Sequence, residues 1–227
     1  MELTEALRTT GAIRAFRDQA VDDAVLARVL DTARFAPSGG NAQAWRVVVV
    51  KDRATRRRLR DLYVQGMREY MAIAAAGLRP WAPTNDREAE KQALAAVKAD
   101  SDTGDFAERF DEAPVLLAVF VDLSLLAAMD RDAARYSFAG GASIYPFTWS
   151  ILLAARDEGL GGVITTILIR AEDEVKSLLG ARDPLTLAAV IALGYPVRQL
   201  RRLNRAPLPA FATVDSIDGP PFGTPGA

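Results

Sequence analysis

Few places in this chain offer chemistry. Between Ala36 and Trp45, Pro37, Ser38, Gly39, Gly40 and Asn41 follow one another. Such a run leaves a backbone free to approach something flat or anionic. The plainer reading is a loop joining a helix to a strand, although two adjacent glycines exceed what a turn requires. Farther along, Gly161 and Gly162 stand just before Thr165 and Thr166, which fits either a ligand-facing turn or a short strand with two inward hydroxyls. Arg14 and the group Arg198, Arg201, Arg202 and Arg205 are of the type that grips phosphate bidentately, and equally of the type that makes a solvated face. The carboxylate pairs Asp22/Asp23 and Asp173/Glu174 fall at predicted helix starts, where capping is their expected work.

What is missing narrows the chemistry further. The 227 residues contain no Cys and no His. Disulfides, thiolate nucleophiles, Cys/His zinc sites, Ser-His-Asp triads and imidazole acid–base catalysis are therefore excluded. An enzyme built from this chain must rely on carboxylates, hydroxyls, an oxygen-ligated metal or an organic cofactor. Lys51, Lys91, Lys98 and Lys176 are the lysines among 28 basic residues, so the basic complement is overwhelmingly arginine. With 29 acidic residues the net charge is -1, which gives no global field for nucleic acid or an anionic membrane. No apolar run approaches the ~18 residues that cross a bilayer, and the N-terminus lacks a signal peptide's apolar region and cleavage site. A cytoplasmic protein is expected.

These residues have to be positioned by elements that the periodicity reveals. Leu26, Val29, Leu30 and Ala33 recur at helical spacing between Val21 and Ala36. The turn-rich loop follows, and then the β-branched run RVVVVKD reads as a buried strand. A second helix presents Leu59, Leu62, Tyr63, Met67, Tyr70 and Met71 on one face. Leu78 to Glu112 is a polar excursion with an isolated Trp81 and a helical stretch around Glu88 to Ala99, expected to act as a lid or a partner contact rather than a core element. Pro114–Val121 and Thr186–Leu193 read as central strands. Ala142–Glu158 reads as a helix that is apolar almost all round and closed by Gly159-Leu160. Glu172–Leu179 reads as a short helix stopped by Gly180. This order alternates strands and helices too seldom for a doubly wound sheet, so an α+β fold is expected. The mass of 24.5 kDa fits a single domain over residues 1–227, with a Pro/Gly tail over 219–227 expected to be flexible. Its folded surface should be roughly 10,000 Å².

Taken in order, these pieces resemble the FMN-dependent nitroreductase family over almost the whole chain. TGAIRAF ends in Arg14 and Phe16, matching an Arg-Arg-Ser-x-Arg-x-Phe element; Thr10, Gly11 and Ala12 depart from it. Ala36, Pro37, Ser38, Asn41, Gln43 and Trp45 match an Ala-Pro-Ser-x-x-Asn-x-Gln-x-Trp loop. AARDEGLGG, Leu193 to Pro196 and Arg205 to Leu208 look like the family's second half.

The resemblance implies an α+β fold with a central, mostly antiparallel sheet surrounded by helices, and an intertwined homodimer with FMN at its interface. It implies FMN contacts from Gly11, Arg14, Pro37, Ser38, Gly39, Asn41, Gln43, Ile164, Thr165, Thr166 and Arg205, with Gly40, Tyr70 and Trp81 on the acceptor side. FMN is expected rather than FAD, since no GxGxxG follows a strand. The implied activity is hydride transfer from NAD(P)H through the flavin to a small electron-poor acceptor such as a nitroaromatic or quinone, with no metal. Flavin cleavage, dehalogenation or a non-catalytic flavin store are the alternatives. The Lys and Glu that hold a halotyrosine in the dehalogenating branch have no match in the excursion, which argues against that substrate.

Overall fold

The computed structural model describes residues 1–223. The chain begins with α1 (Leu3–Thr9), α2 (Asp23–Ala33), β1 (Trp45–Val49) and the long α3 (Arg53–Ala75). It continues through α4 (Arg87–Ala95), the single turn α5 (Asp105–Glu108), β2 (Val115–Asp122) and α6 (Tyr145–Asp157). It then forms β3 (Gly161–Thr165), α7 (Glu172–Leu179) and β4 (Leu185–Gly194). The strands make one antiparallel sheet in the order β1-β2-β4-β3. The two most apolar strands are thus central, and β1 and β3 form the edges. β2 is buried from Val115 to Val121, as a continuous apolar run covered on both faces requires. Val29 and Ala33 of α2 and Phe147 and Ile151 of α6 pack on one face. Leu59 and Tyr63 of α3, Ala107 of α5 and Val175 of α7 pack on the other.

Local signals set most boundaries. Asp22 accepts a hydrogen bond from the Ala24 N–H at 2.7 Å and Asp52 one from the Thr55 N–H at 2.8 Å, each capping a helix. α6 ends where Leu160 N–H donates to the Ala155 carbonyl at 2.8 Å and Gly159, at φ 78°, to Arg156 at 3.2 Å. This is the double bond of a Schellman stop.

Three expectations need correction. The predicted start of α6 at Ala142 moves to Tyr145, because Pro146 would clash with the Ala142 carbonyl if the helix ran back, and residues 139–143 form a 3-10 turn instead. α4 frays at Ala95, short of Ala99, where the Ala96 N–H is shared by the Gln92 and Ala93 carbonyls. The excursion is not all lid, since Phe106 and Phe110 pack on Tyr63 with ring centroids 5.9 and 4.3 Å away and Phe110 is fully buried.

α6 keeps one side partly open, with Trp149, Ser150 and Leu153 half-buried and Tyr145 exposed. Ser150 and Leu153 line a groove of about 420 Å³ with exposed Met1, Leu3 and Phe35. The accessible surface, 13,856 Å², exceeds by more than a third the roughly 10,000 Å² expected of a compact monomer of this mass. Residues 219–223 fold back on Ala212–Val214 through the Phe222 N–H, which donates to the Ala212 carbonyl at 2.8 Å. The rest of the expected flexible tail, 224–227, lies outside the described residues.

Candidate functional site

The loop before β1 is held in a costly shape. Gly40, Asn41 and Gln43 have φ of 59°, 54° and 49°. Left-handed backbone costs a residue with a Cβ roughly 1–2 kcal/mol, and such strain gathers at ligand clamps and switches. The loop is closed internally by the Gln43 N–H, which donates to Ser38 Oγ at 3.0 Å, and by Gln43 Nε2, which donates to Asn41 Oδ1 at 3.2 Å. It is anchored externally by the Gly39 N–H, which donates to Ser143 Oγ at 3.0 Å. Behind it, Trp45 stacks on Phe147 of α6 at 4.6 Å. Pro37, Gly39, Gly40, Asn41 and Gln43 are exposed, so a ligand can reach the backbone of this loop. Ser143 escaped the sequence reading because its partner lies 104 residues away.

The other candidate residues gather at the β3 edge. Ile13 N–H donates to the Gly162 carbonyl at 2.8 Å, laying the segment that carries Gly11 and Arg14 along β3. Gly11 has no left-handed φ. Its missing Cβ lets Leu200 Cδ1 and Leu203 Cδ2 approach, each 2.7 Å from where a Cβ would stand. Arg205 follows Leu203 by two residues and is exposed, as is Arg14. Along β3 the side chains alternate, with Ile164 packing on the α2/α6 face and Thr165 lying beside Tyr63 on the α3 face. The strand ends at Thr165, so Thr166 is exposed; the reading of two inward hydroxyls holds for Thr165 alone. Burial raises the Tyr63 phenol above its ordinary range, partly offset by the Thr165 hydroxyl and the charge of Arg14. Tyr63 read as a core residue in the sequence, and nothing there marked it as a neighbour of the site. Thr10 Oγ1 is buried without a hydrogen-bond partner at the head of this segment.

Tyr70 and Trp81 adjoin the β3 half. Their rings lie 6.0 Å apart, and Arg170, just beyond Thr166, sits over Trp81 at 5.3 Å while its Nε lies 3.5 Å from Glu69. Trp81 is therefore packed rather than isolated.

The two halves do not meet within one chain. They occupy opposite edges of the sheet, three strand spacings or roughly 14 Å apart. Trp45 shares a row with Val121 and Thr186, whereas Thr165 pairs with Val190, four residues farther along β4. That offset adds roughly 13 Å along the strands, so Trp45 and Thr165 stand roughly 20 Å apart. Gly11, Arg14, Ile164, Thr165, Thr166 and Arg205 form one half; Pro37 to Gln43 form the other.

The chain is 29% identical over 213 residues to an NADH dehydrogenase of Thermus thermophilus, covering 87% of this chain and 88% of that protein. It is 29% identical over 195 residues to a 5,6-dimethylbenzimidazole synthase of Rhodobacter capsulatus, covering 86% and 83%. The fold is that of a BluB-like flavoprotein from Clostridium difficile, with a TM-score of 0.65 at 21% identity and coverage of 94% of this chain and 98% of that one. A sequence description of the Nitroreductase family matches residues 7–195. With the antiparallel sheet, the strained loop at one edge and the segment carrying Gly11 and Arg14 at the other all falling inside that match, the chain belongs to the Nitroreductase family.

Proposed function

We propose that the protein is an FMN-dependent oxidoreductase that uses NAD(P)H to reduce a small electron-poor acceptor, a nitroaromatic or quinone. The observation that carries this reading is the strained loop Gly40–Gln43, whose left-handed backbone is held by Ser38, Asn41 and Ser143 rather than by a core. Strain kept in an exposed segment calls for a ligand that uses it. The residues present fit FMN: Arg14 and Arg205 are exposed and free of ion pairs among the described residues, and Thr10 Oγ1, at the head of the segment that carries Arg14, is an orphaned buried hydroxyl. Bound FMN would supply the redox chemistry, accepting hydride from the nicotinamide donor and delivering it to the acceptor.

The chain's own residues then have defined tasks. Arg14 and Arg205 hold the phosphate dianion by charge-assisted hydrogen bonds. The loop from Pro37 to Gln43 offers backbone and amide groups to the ring system. Tyr63, its phenol raised by burial, stays protonated at neutral pH, and Thr165 Oγ1 accepts from the Ile167 N–H at 3.4 Å. Tyr70 and Trp81 offer aromatic faces on which a planar acceptor can stack. Because the two halves lie on opposite edges of one sheet, a second copy completes the site, with the loop of one protomer facing the β3 edge of its partner. The 29% identity to an NADH dehydrogenase supports a nicotinamide donor.

Steady-state NAD(P)H oxidation with menadione and with nitrofurazone tests the proposal. Parallel double-reciprocal plots are expected, since one site serves donor and acceptor in turn. A flavin-loaded protein that oxidises neither NADH nor NADPH with any acceptor would be a flavin store instead.

A further inference from the structure

Trp81 is the one aromatic residue among the described residues held in the left-handed region, at φ 52°. Of the other non-glycine residues with such a φ, Asn41 and Asp215 have short polar side chains that tolerate it, and Gln43 belongs to the strained loop of the candidate site. An indole gains nothing from that conformation. Its Nε1 is also buried without a hydrogen-bond partner. Two costs thus fall on one residue, and such a pose persists only where its surroundings enforce it.

The enforcement comes from the residues that follow. The Ala82 N–H donates to the Arg79 carbonyl and the Asn85 N–H to the Ala82 carbonyl, each at 3.0 Å, folding the chain tightly around Trp81. Asn85 Nδ2 then donates both to the Arg79 carbonyl and to Glu90 Oε2, each at 2.8 Å. Glu90 is only 7% exposed, which is unusual for a carboxylate on a short surface helix. Its one other contact is Arg87 Nη1 at 3.4 Å, so its close bond is spent on Asn85. Through Asn85 the residue before the turn is tied to α4, and α4 is fastened from outside where Arg87 Nη2 donates to the Tyr136 hydroxyl at 2.6 Å. The pose thus enforced brings the indole within 6.0 Å of Tyr70, at 60°, and under Arg170 at 5.3 Å. Trp81 is half-buried and Tyr70 exposed, so both rings keep accessible surface.

We propose that Asn85 and Glu90 are positioning residues for acceptor binding: they clamp the turn after α3 so that Trp81 keeps its left-handed backbone and, with Tyr70, presents fixed rings on which a planar acceptor stacks. This rests on the oxidoreductase reading above. A loose Trp81 would have to be ordered by each acceptor at a cost in affinity, and the clamp meets that cost during folding instead.

The test uses the FMN-loaded protein with menadione as acceptor. Trp81→Gly removes the ring and suits the left-handed backbone, so FMN should stay bound while KM for menadione rises about tenfold and kcat changes little. Asn85→Ala should raise KM to a similar extent, and the part of the tryptophan fluorescence that Trp81→Gly removes should shift to the red. The double variant Asn85→Ala/Trp81→Gly should be no worse than either single one, since both act through one ring. Glu90→Gln keeps an oxygen for the Asn85 amide and should stay near the unmodified protein, whereas Asn85→Asp loses the donor and should behave as Asn85→Ala does. An unchanged KM in Trp81→Gly overturns the proposal. So do losses that multiply in the double variant, which would give Asn85 a separate task, and so does loss of FMN from Asn85→Ala, which would make the clamp structural. If Asn85→Ala does not fold, equal KM values in Asn85→Asp and Glu90→Gln overturn it. Failure of the broader reading looks different: the unmodified protein would reduce neither menadione nor nitrofurazone with either donor.

Discussion

Arg14 and Arg205 bear the most direct residue-level test. Each charged hydrogen bond contributes roughly 1.5–3 kcal/mol, so Arg14→Ala and Arg205→Ala should each weaken FMN about ten- to a hundredfold. Titration of the apo-protein followed by flavin fluorescence measures this; unchanged affinity in both variants would move the phosphate elsewhere. Gly11 makes a subtler case. The Arg-Arg-Ser element that this segment resembles has an arginine at its place, yet a Cβ here would stand 2.7 Å from both Leu200 Cδ1 and Leu203 Cδ2. Gly11→Ala should therefore push the 200–205 segment outward, carry Arg205 with it and weaken FMN; tighter binding would show that the segment has room to spare. The residues legible in the sequence were those whose type is unusual in place, such as Pro37 to Gln43 and the arginines. Ser143 and Tyr63 were not legible. Their parts in the site arise from contacts across the fold, Ser143 with Gly39 and Tyr63 with Thr165, which no local pattern encodes.

Among the elements, periodicity identified the two central strands, α2, α3 and α7, because each has one face or both faces buried against the same sheet. It failed at ends and excursions, where competing local effects decide: Pro146 delays α6, and α4 frays early. The stretch 78–112 shows why polarity misleads. Its first part carries α4 on the flank of α3, while its last part buries Phe110 against Tyr63 at 4.3 Å. Removing the whole stretch strips a core aromatic, a loss of about 3–5 kcal/mol for Phe110 alone. Replacing only residues 84–99 with a short linker should leave FMN bound and change the preference between nitrofurazone and menadione, read as the ratio of kcat/KM values. Loss of FMN in that trimmed protein would make α4 structural; an unchanged ratio would take it away from the acceptor.

For the whole molecule, the surface of 13,856 Å² and the separation of the half-sites point the same way. The excess over a compact monomer, roughly 3,800 Å² in one chain, is larger than the roughly 1,000–2,500 Å² that each partner of an obligate homodimer buries. An exposed apolar groove between α1, α2 and α6, edged by Met1, Leu3 and Phe35, lies next to Pro37 of the loop. The protein should sediment as a dimer at the lowest concentration at which it retains flavin, and dilution should release FMN and subunits together. A monomer that keeps its FMN would require a site within one chain, which the sheet order does not offer. The apolar character of α6 in the sequence led to the expectation of a dimer; the helix itself is only partly open, because the rest of it is buried against the chain's own sheet and α2.

An FMN-dependent oxidoreductase must take up FMN and pass hydride through it. The measurement is an anaerobic absorption spectrum, taken first as purified or after loading with FMN, then with one equivalent of NADPH, then with menadione or nitrofurazone. A bound flavin is expected whose long-wavelength band bleaches with NADPH and returns when the acceptor is added. A protein that takes up no FMN, or one whose bound flavin stays oxidised with both NADPH and NADH, would contradict it.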